Sequence, residues 1–366
     1  MTPSLVILFF LRRPFIMTDN SSFLSEYFKT IYPSKCSRDE RYLASKDGLV
    51  YWSRLITLFS LPIQLLTTFC ILRMTPKSMS FVRTSLLNLN SWCILIGLIT
   101  SFVITPFSFL PYNAGFTIGL ASDLGVPLAV RLYFSFTATF VILISITILF
   151  ENRNSMITCN IFAIKRSGIR IFWISLNVLM SILLPLPVFL NLPEQSTAKL
   201  GILKVLPCPA REFFTDSFLV MASDPSWVSY FTYSLMTVYF SMLLQILFFS
   251  ICCIYYLLIS KNSQISSQTR RLQIRAFFGL LGQTFIPIVF DALPMTFFLN
   301  RQNPDQYDQY NNNLMSLSVV IHNGATSLCI LLVHHAYRKF LVSFIWRSDQ
   351  IKVTVVQTAS TISSKT

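Results

Sequence analysis

A seven-helix membrane bundle, all-α in class, is the fold that this 366-residue sequence predicts. Three observations carry that expectation. Seven apolar stretches approach or exceed the roughly 20 helical residues needed to cross a bilayer. They are Leu49–Leu72, Thr84–Ile104, Val126–Phe150, Ile171–Leu190, Tyr233–Leu258, Ala276–Leu299 and Leu314–Val333. Basic residues crowd the segments on one side of these stretches. Charged residues make up only 12% of the chain and mean hydropathy is +0.60, whereas soluble domains carry about 25% charged residues.

The charge asymmetry also predicts orientation. The segments after spans one, three, five and seven hold Arg73, Lys77, Arg83, Arg153, Lys165, Arg166, Arg170, Lys261, Arg270, Arg271, Arg275, Arg338, Lys339, Arg347, Lys352 and Lys365. Only Glu151 and Asp349 oppose these sixteen. The loops after spans two, four and six hold four basic residues: Lys199, Lys204, Arg211 and Arg301. The basic side is the cytoplasmic one, because positive loops are retained there. The N-terminus is then outside and the C-terminus inside. The net charge of +14 flanks apolar spans instead of forming an aromatic-interleaved patch, so the anionic inner leaflet explains it better than nucleic acid does.

Taken in order, residues 1–48 form an extracellular segment, 49–335 the seven-span domain and 336–366 a cytoplasmic tail. Leu5–Leu11 is too short to span and lacks a signal-peptide layout, and Met17 is a second candidate start. Asn20-Ser21-Ser22 is a glycosylation sequon on the outer side. Pro62, Pro185, Pro187, Pro287 and Pro294 interrupt spans and are kink positions. Thr105–Gly125, with two prolines and three glycines, reads as a structured outer turn. The Ser/Thr-rich tail from Ile351 reads as disordered and open to kinases. Of eight cysteines only Cys36 and Cys208 face the oxidising side; they are either one disulfide or two free thiols.

Polar groups within spans need partners or functions. Arg54, Arg131 and Asp291 lie at a similar outer depth. They are candidates to face a ligand pocket or to pair, with snorkelling as the alternative for the two arginines. Asp291 is too short to snorkel far, which makes it the leading ligand-binding candidate, with Arg131 second. Asn88, Asn90, Asn177, Gln245, Gln283, His322 and Asn323 are expected to join helices by side-chain hydrogen bonds or to act as a switch. At the inner end of span three, Glu151-Asn152-Arg153 places opposite charges two residues apart. That arrangement suits contact with a cytoplasmic partner, as do Arg270 and Arg271; a stop-transfer role is the simpler alternative. No zinc set, phosphate loop or nucleophile elbow is visible, so no enzyme, metal or cofactor is expected. Internal repeats of the transporter kind and channel-type charge rings are not apparent either.

With these residues in view, the chain resembles the nematode serpentine chemoreceptors of class H, the Srh family. The resemblance rests on Leu87-Asn88-Leu89-Asn90, Pro111-Tyr112-Asn113-Ala114-Gly115, Gly119-Leu120, Leu124-Gly125-Val126-Pro127 and Ile148-Leu149-Phe150-Glu151-Asn152-Arg153. It continues through Leu192-Pro193-Glu194-Gln195, Leu206-Pro207-Cys208-Pro209, Thr269-Arg270-Arg271-Leu272-Gln273, Phe277-Phe278, Gln283, Ile286-Pro287, His322-Asn323-Gly324, Ser327 and His335-Ala336-Tyr337-Arg338. Departures are Ala336, where proline is the family habit, and Asn323 between the histidine and glycine of span seven. The resemblance implies a GPCR-like receptor in ciliated sensory neurons. Such a receptor binds an environmental small molecule and activates a heterotrimeric G protein. The alternative from another class is a ligand-gated channel of the insect odorant-receptor kind, whose N-terminus is cytoplasmic, against the charge count.

Overall fold

The computed structural model describes residues 20–343 apart from 38, 77–79, 158–159, 216, 260–273, 275–276, 280, 283–284, 287 and 295–306. Among these residues six helices are long and apolar enough to cross a membrane: Lys46–Arg73, Val82–Val103, Leu128–Ser155, Ser167–Leu190, Pro225–Leu257 and Gln309–Val333. They correspond to expected spans one to five and seven. Expected span six is described only in part, over 277–279, 281–282, 285–286 and 288–294; its backbone is π-helical over Ile288–Ala292.

The helices begin where capping chemistry places them. Ser45 Oγ accepts from Gly48 N at 3.1 Å ahead of span one. Asp224 accepts from Ser226 N at 2.8 Å ahead of span five, where Pro225 sits in the first turn. Asp308 accepts from Tyr310 N at 3.1 Å ahead of span seven. Each cap satisfies an otherwise orphaned amide of the first turn. These caps precede the apolar windows, so spans five and seven start at Pro225 and Gln309 instead of Tyr233 and Leu314. Spans one and three, at 28 residues each, are about 42 Å long. They overshoot a hydrocarbon core of about 30 Å.

Span three is the centre of the bundle: 61% of its apolar window is buried, against 22% for span four at the periphery. Span three packs on spans two and five, and span one packs on span seven. That last pair is close because of Gly324, where an added Cβ would stand 2.7 Å from Ser60 Cβ.

The expected outer turn Thr105–Gly125 contains more regular structure than its loop reading allowed. Strands β1 (Thr105–Phe109) and β2 (Ala114–Ile118) pair antiparallel with Phe107 opposite Phe116. A short β3 (Leu219–Val220), from the loop before span five, pairs with β2 through Ala114 and Val220. The all-α expectation is therefore amended by a three-stranded sheet. Its cause is the alternation in β1, whose Thr105, Phe107 and Phe109 are buried. Gly119 leaves β2 at φ +123°, a conformation side chains rarely tolerate.

The sheet belongs to a cap at one end of the bundle. Its core joins Tyr27, Leu49, Phe107, Phe109, Phe116, Phe213, Phe218 and Leu317. Ring centroids lie 4.7 Å apart for Phe109 with Phe218, 4.8 Å for Phe213 with Phe218 and 4.9 Å for Phe107 with Phe116. A second core, including Leu86, Leu149, Phe150, Cys253 and Tyr337, fills the opposite or tail end.

Candidate functional site: a roofed cavity and an ionic cluster

Beneath the sheet lies a cavity of about 190 Å³ between spans three, five and seven, closed further by Phe290 and Pro294. Its roof is Pro106, Ser108 and Leu110 of the first hairpin. Its walls are mostly apolar: Leu132, Phe136, Phe140, Leu143, Leu235, Met236, Met315 and Val319. The polar groups are hydroxyls and one amide, from Thr100, Ser135, Thr139, Tyr239, Asn312, Ser316 and Ser318. No charged residue lines it among the described residues. Asn312 Nδ2 also donates to Leu110 O at 3.2 Å, so span seven holds the roof directly.

The sequence reading anticipated none of these wall residues. A period was present, since Ser135 and Thr139 stand one turn apart on span three. Small hydroxyl residues within spans are common packing elements, which left that signal unspecific.

Arg131 does not reach the cavity wall. It is buried, and its Nη1 donates to Thr117 O at 3.0 Å and Thr117 Oγ1 at 2.9 Å. The structure gives it the task of holding β2 against span three. Asp291 lies in the π-helical turn Ile288–Ala292, next to the wall residue Phe290; its side chain is outside the described part of the chain. Arg54 faces outward from span one, with its guanidinium carbon 5.8 Å from the Phe102 ring centre. These three residues do not converge on one described site.

The tail end of span three forms an ionic cluster. Glu151 is fully buried and pairs across to span four, with Arg170 Nη2 2.7 Å from its Oε2. Ser155 Oγ donates to its Oε1 at 2.6 Å. Asn152 accepts from Arg170 and donates to Ser85 on span two. Glu151 and Arg153, which sequence alone placed near each other, do not pair: two residues on a helix are about 200° apart. Arg153 turns the other way, toward Met156, Cys253, Leu257 and Phe277. Its Nε has no hydrogen-bond partner among the described residues. Arg270, Arg271 and Gln283 lie outside the described residues.

The amides within spans make interhelical bonds. Asn90 donates to Gln64 O at 3.1 Å and Thr68 Oγ1 at 2.8 Å, and accepts from Ser327 Oγ at 2.7 Å, which links spans one, two and seven. Asn88 donates to Ser145 Oγ at 3.1 Å, joining spans two and three. Asn177 and Gln245 exchange bonds of 3.2 and 2.8 Å between spans four and five. His322 and Asn323 are buried, and Asn323 Nδ2 donates to Val319 O at 3.1 Å within its own helix.

Three devices tie the N-terminal segment to the cap. Cys36 and Cys208 are disulfide-bonded, with Cα atoms 5.4 Å apart. Tyr27 and Tyr32 hydroxyls donate to Pro207 O at 2.9 Å and Pro209 O at 2.7 Å, on either side of Cys208. Arg41 pairs with Asp39 at 2.7 Å and with the span-seven cap Asp308 at 2.6 Å. Its guanidinium also sits 4.9 Å from the Tyr310 ring centre. Asn20, the sequon residue, opens a short helix Asn20–Glu26.

A multi-pass helical bundle with a roofed cavity near one end and an ionic cluster at the other is the architecture of a GPCR-like membrane receptor. The serpentine-type 7TM GPCR chemoreceptor Srh family matches residues 44–347. The chain is 43% identical over 339 residues to serpentine receptor class H-72 of Caenorhabditis elegans, covering 92% of this chain and 97% of that relative. It belongs to the Srh family of serpentine chemoreceptors.

Proposed function

We propose that this chemoreceptor takes a small, uncharged, mainly apolar environmental molecule from the extracellular side and activates a heterotrimeric G protein. The observation that carries the proposal is the cavity itself. Its volume, about 190 Å³, suits a compact molecule. An ionised ligand would meet no described counter-charge there, and burying an unpaired charge is costly. Serine and threonine hydroxyls on spans three and seven supply one or two orienting hydrogen bonds.

The charge asymmetry supports an extracellular N-terminus, a plasma-membrane receptor and, by family, sensory cilia as its site. In this reading the Glu151–Arg170 pair, Asn152 and Arg153 form the coupling end, and the basic residues Arg270 and Arg271 take part in the same partner contact. Ligand shifts the bundle only by binding one arrangement better than another. Asp291, one residue from the wall residue Phe290, is the proposed polar anchor of span six and serves an uncharged ligand as a hydrogen-bond acceptor.

A ligand screen in cells carrying a G-protein reporter tests the proposal. Once an agonist is found, Ser135→Leu and Ser316→Phe, which fill the cavity, are expected to weaken its potency at least about tenfold without loss of surface expression. Unchanged dose–response curves in both variants would sink the cavity assignment. An unchanged curve in Asp291→Asn removes the anchor alone. Tags at each terminus on intact cells report orientation separately.

A further inference from the structure

A second groove, of about 480 Å³, opens on the outside of the bundle between the start of span one and the end of span two. It holds a pair of opposite charges that the cavity does not use. Arg54 and Asp47 both line it, together with Tyr51, Leu58 and Phe102. All five are exposed, Tyr51 at 53% and Leu58 at 63%. Among the described residues neither Arg54 nor Asp47 forms an ion pair.

The order of these groups along the helix matches the order of groups in a lipid. Arg54 lies eight residues after Lys46, the first residue of span one, and therefore about 12 Å into the helix. Span one overshoots the hydrocarbon by about 12 Å in total; shared between its two ends, this roots Arg54 about 6 Å inside the boundary, from where its long side chain extends outward to the phosphate layer. A planar guanidinium with no carboxylate partner binds phosphate oxygens well. Asp47 lies seven residues nearer the helix start, on the same face and about 10.5 Å further out. Tyr51 stands between them. A carboxylate and an exposed aromatic ring at that level suit an ammonium group. On the other side of Arg54, Leu58 and the Phe102 ring offer an apolar track at acyl-chain depth.

We propose that this groove is a binding site for a zwitterionic glycerophospholipid. Its phosphate rests on Arg54, its ammonium against Asp47 and Tyr51, and one acyl chain along Leu58 and Phe102. Simple snorkelling of Arg54 accounts for neither the exposed Asp47 carboxylate one groove-length away, which also complements the helix start, nor the side of the Tyr51 ring not packed on Tyr42 and Trp52. An anionic headgroup that lacks the ammonium would face the Asp47 carboxylate unfavourably. The site depends on which residues meet the lipid boundary, and is independent of whether the cavity binds an odorant.

The test uses the full-length receptor in phosphatidylcholine nanodiscs. They are doped in turn with acyl-chain photoreactive phosphatidylcholine, phosphatidylglycerol or diacylglycerol, and labelled peptides are mapped by mass spectrometry. Phosphatidylcholine is expected to label the Tyr51–Leu58 peptide at least about fivefold more than diacylglycerol. Arg54→Gln should remove that excess, Arg54→Lys should retain part of it, and Asp47→Asn should erase the preference over phosphatidylglycerol. Equal labelling by diacylglycerol, or full labelling in Arg54→Gln, overturns the site. Preference of the unmutated receptor for phosphatidylglycerol overturns the zwitterionic assignment. If Arg54→Gln fails to fold, the comparison among the three lipids on the unmutated receptor decides by itself.

Discussion

The cap end of this molecule and its tail end solve the problem of joining helices in opposite ways. At the cap, a disulfide, stacked rings and a small sheet bind four separate segments into one roof. At the tail, spans two, three and four meet through one buried carboxylate, one arginine, one asparagine and two serines. A disulfide has no alternative arrangement of similar energy, and the rings beside it are held by close packing in a buried core. Charge-assisted hydrogen bonds among five polar side chains have such alternatives, because each donor and acceptor finds another partner after a small movement. Under the proposed function, the difference suits a ligand end that holds its shape and a coupling end that changes.

Breaking the cap's covalent link is expected to have the largest effect. Cys208→Ser frees a loop closed over 172 residues of separation, and loss of such a bond typically removes about 2–5 kcal/mol. Surface expression and the midpoint of thermal unfolding of the purified receptor should both fall. A variant as stable as the parent would show that the rings and tyrosine bonds alone hold the cap. At the tail, Arg170→Ala should cost about 3 kcal/mol, because it strands a carboxylate that is 0% exposed. Glu151→Gln should cost less, since Arg170 keeps 29% exposure. Reversal of that order would mean the pair is not the tail's main fastening. Arg153→Ala should leave expression near normal and abolish agonist-evoked signalling in the reporter cells; normal signalling removes Arg153 from the coupling end.

Between the two ends, Asn90→Ala should destabilise the receptor by about 1–2 kcal/mol, the upper range for polar bonds between membrane helices. It breaks links to spans one and seven at once.

The smallest effect is a difference in pH response. Burial pushes the His334 ring from the ordinary 6.5 down to about 4, so the folded tail end holds it neutral. Its contribution is present above the unfolded value and is lost as pH falls from 6.5 towards 4. At the cap, the hydrogen bond from Arg41 holds the Asp39 carboxyl below its usual range. That clamp is therefore intact through the same window and weakens only in stronger acid. Hydrogen-exchange protection factors, which remove the intrinsic slowing of exchange in acid, should fall near His334 between pH 7 and pH 5 and stay level at residues 39–45. Equal falls at both ends would remove the contrast.

Most of the bundle was legible in the linear chain. The windows behind spans one to five and seven match long helices, because twenty consecutive apolar residues leave the backbone only helix as a way to satisfy its own polar groups. The ends were less legible: Ser45, Asp224 and Asp308 start their helices before hydropathy rises. The sheet was missed because β1 carries Pro106 and its alternation spans only five residues. At the site, sequence singled out charges, whereas the cavity wall is built from ordinary apolar and hydroxyl residues. Arg131 shows why: its depth in the membrane was readable, but its partner Thr117 comes from a hairpin whose fold had to be seen.

Hydropathy and loop charge thus determine by themselves that the chain is a multi-pass helical membrane protein, and they predict which way round it sits. Both are sums over many residues, so no single contact can change them. Tertiary structure alone decided that Glu151 pairs with Arg170 instead of Arg153, that Arg131 braces the roof, and that Ser135, Met236 and Ser316 share a cavity. Such pairings depend on the rotation of each helix about its axis and on where the loops cross. Those angles arise from packing among many side chains at once, and a one-dimensional pattern does not contain them.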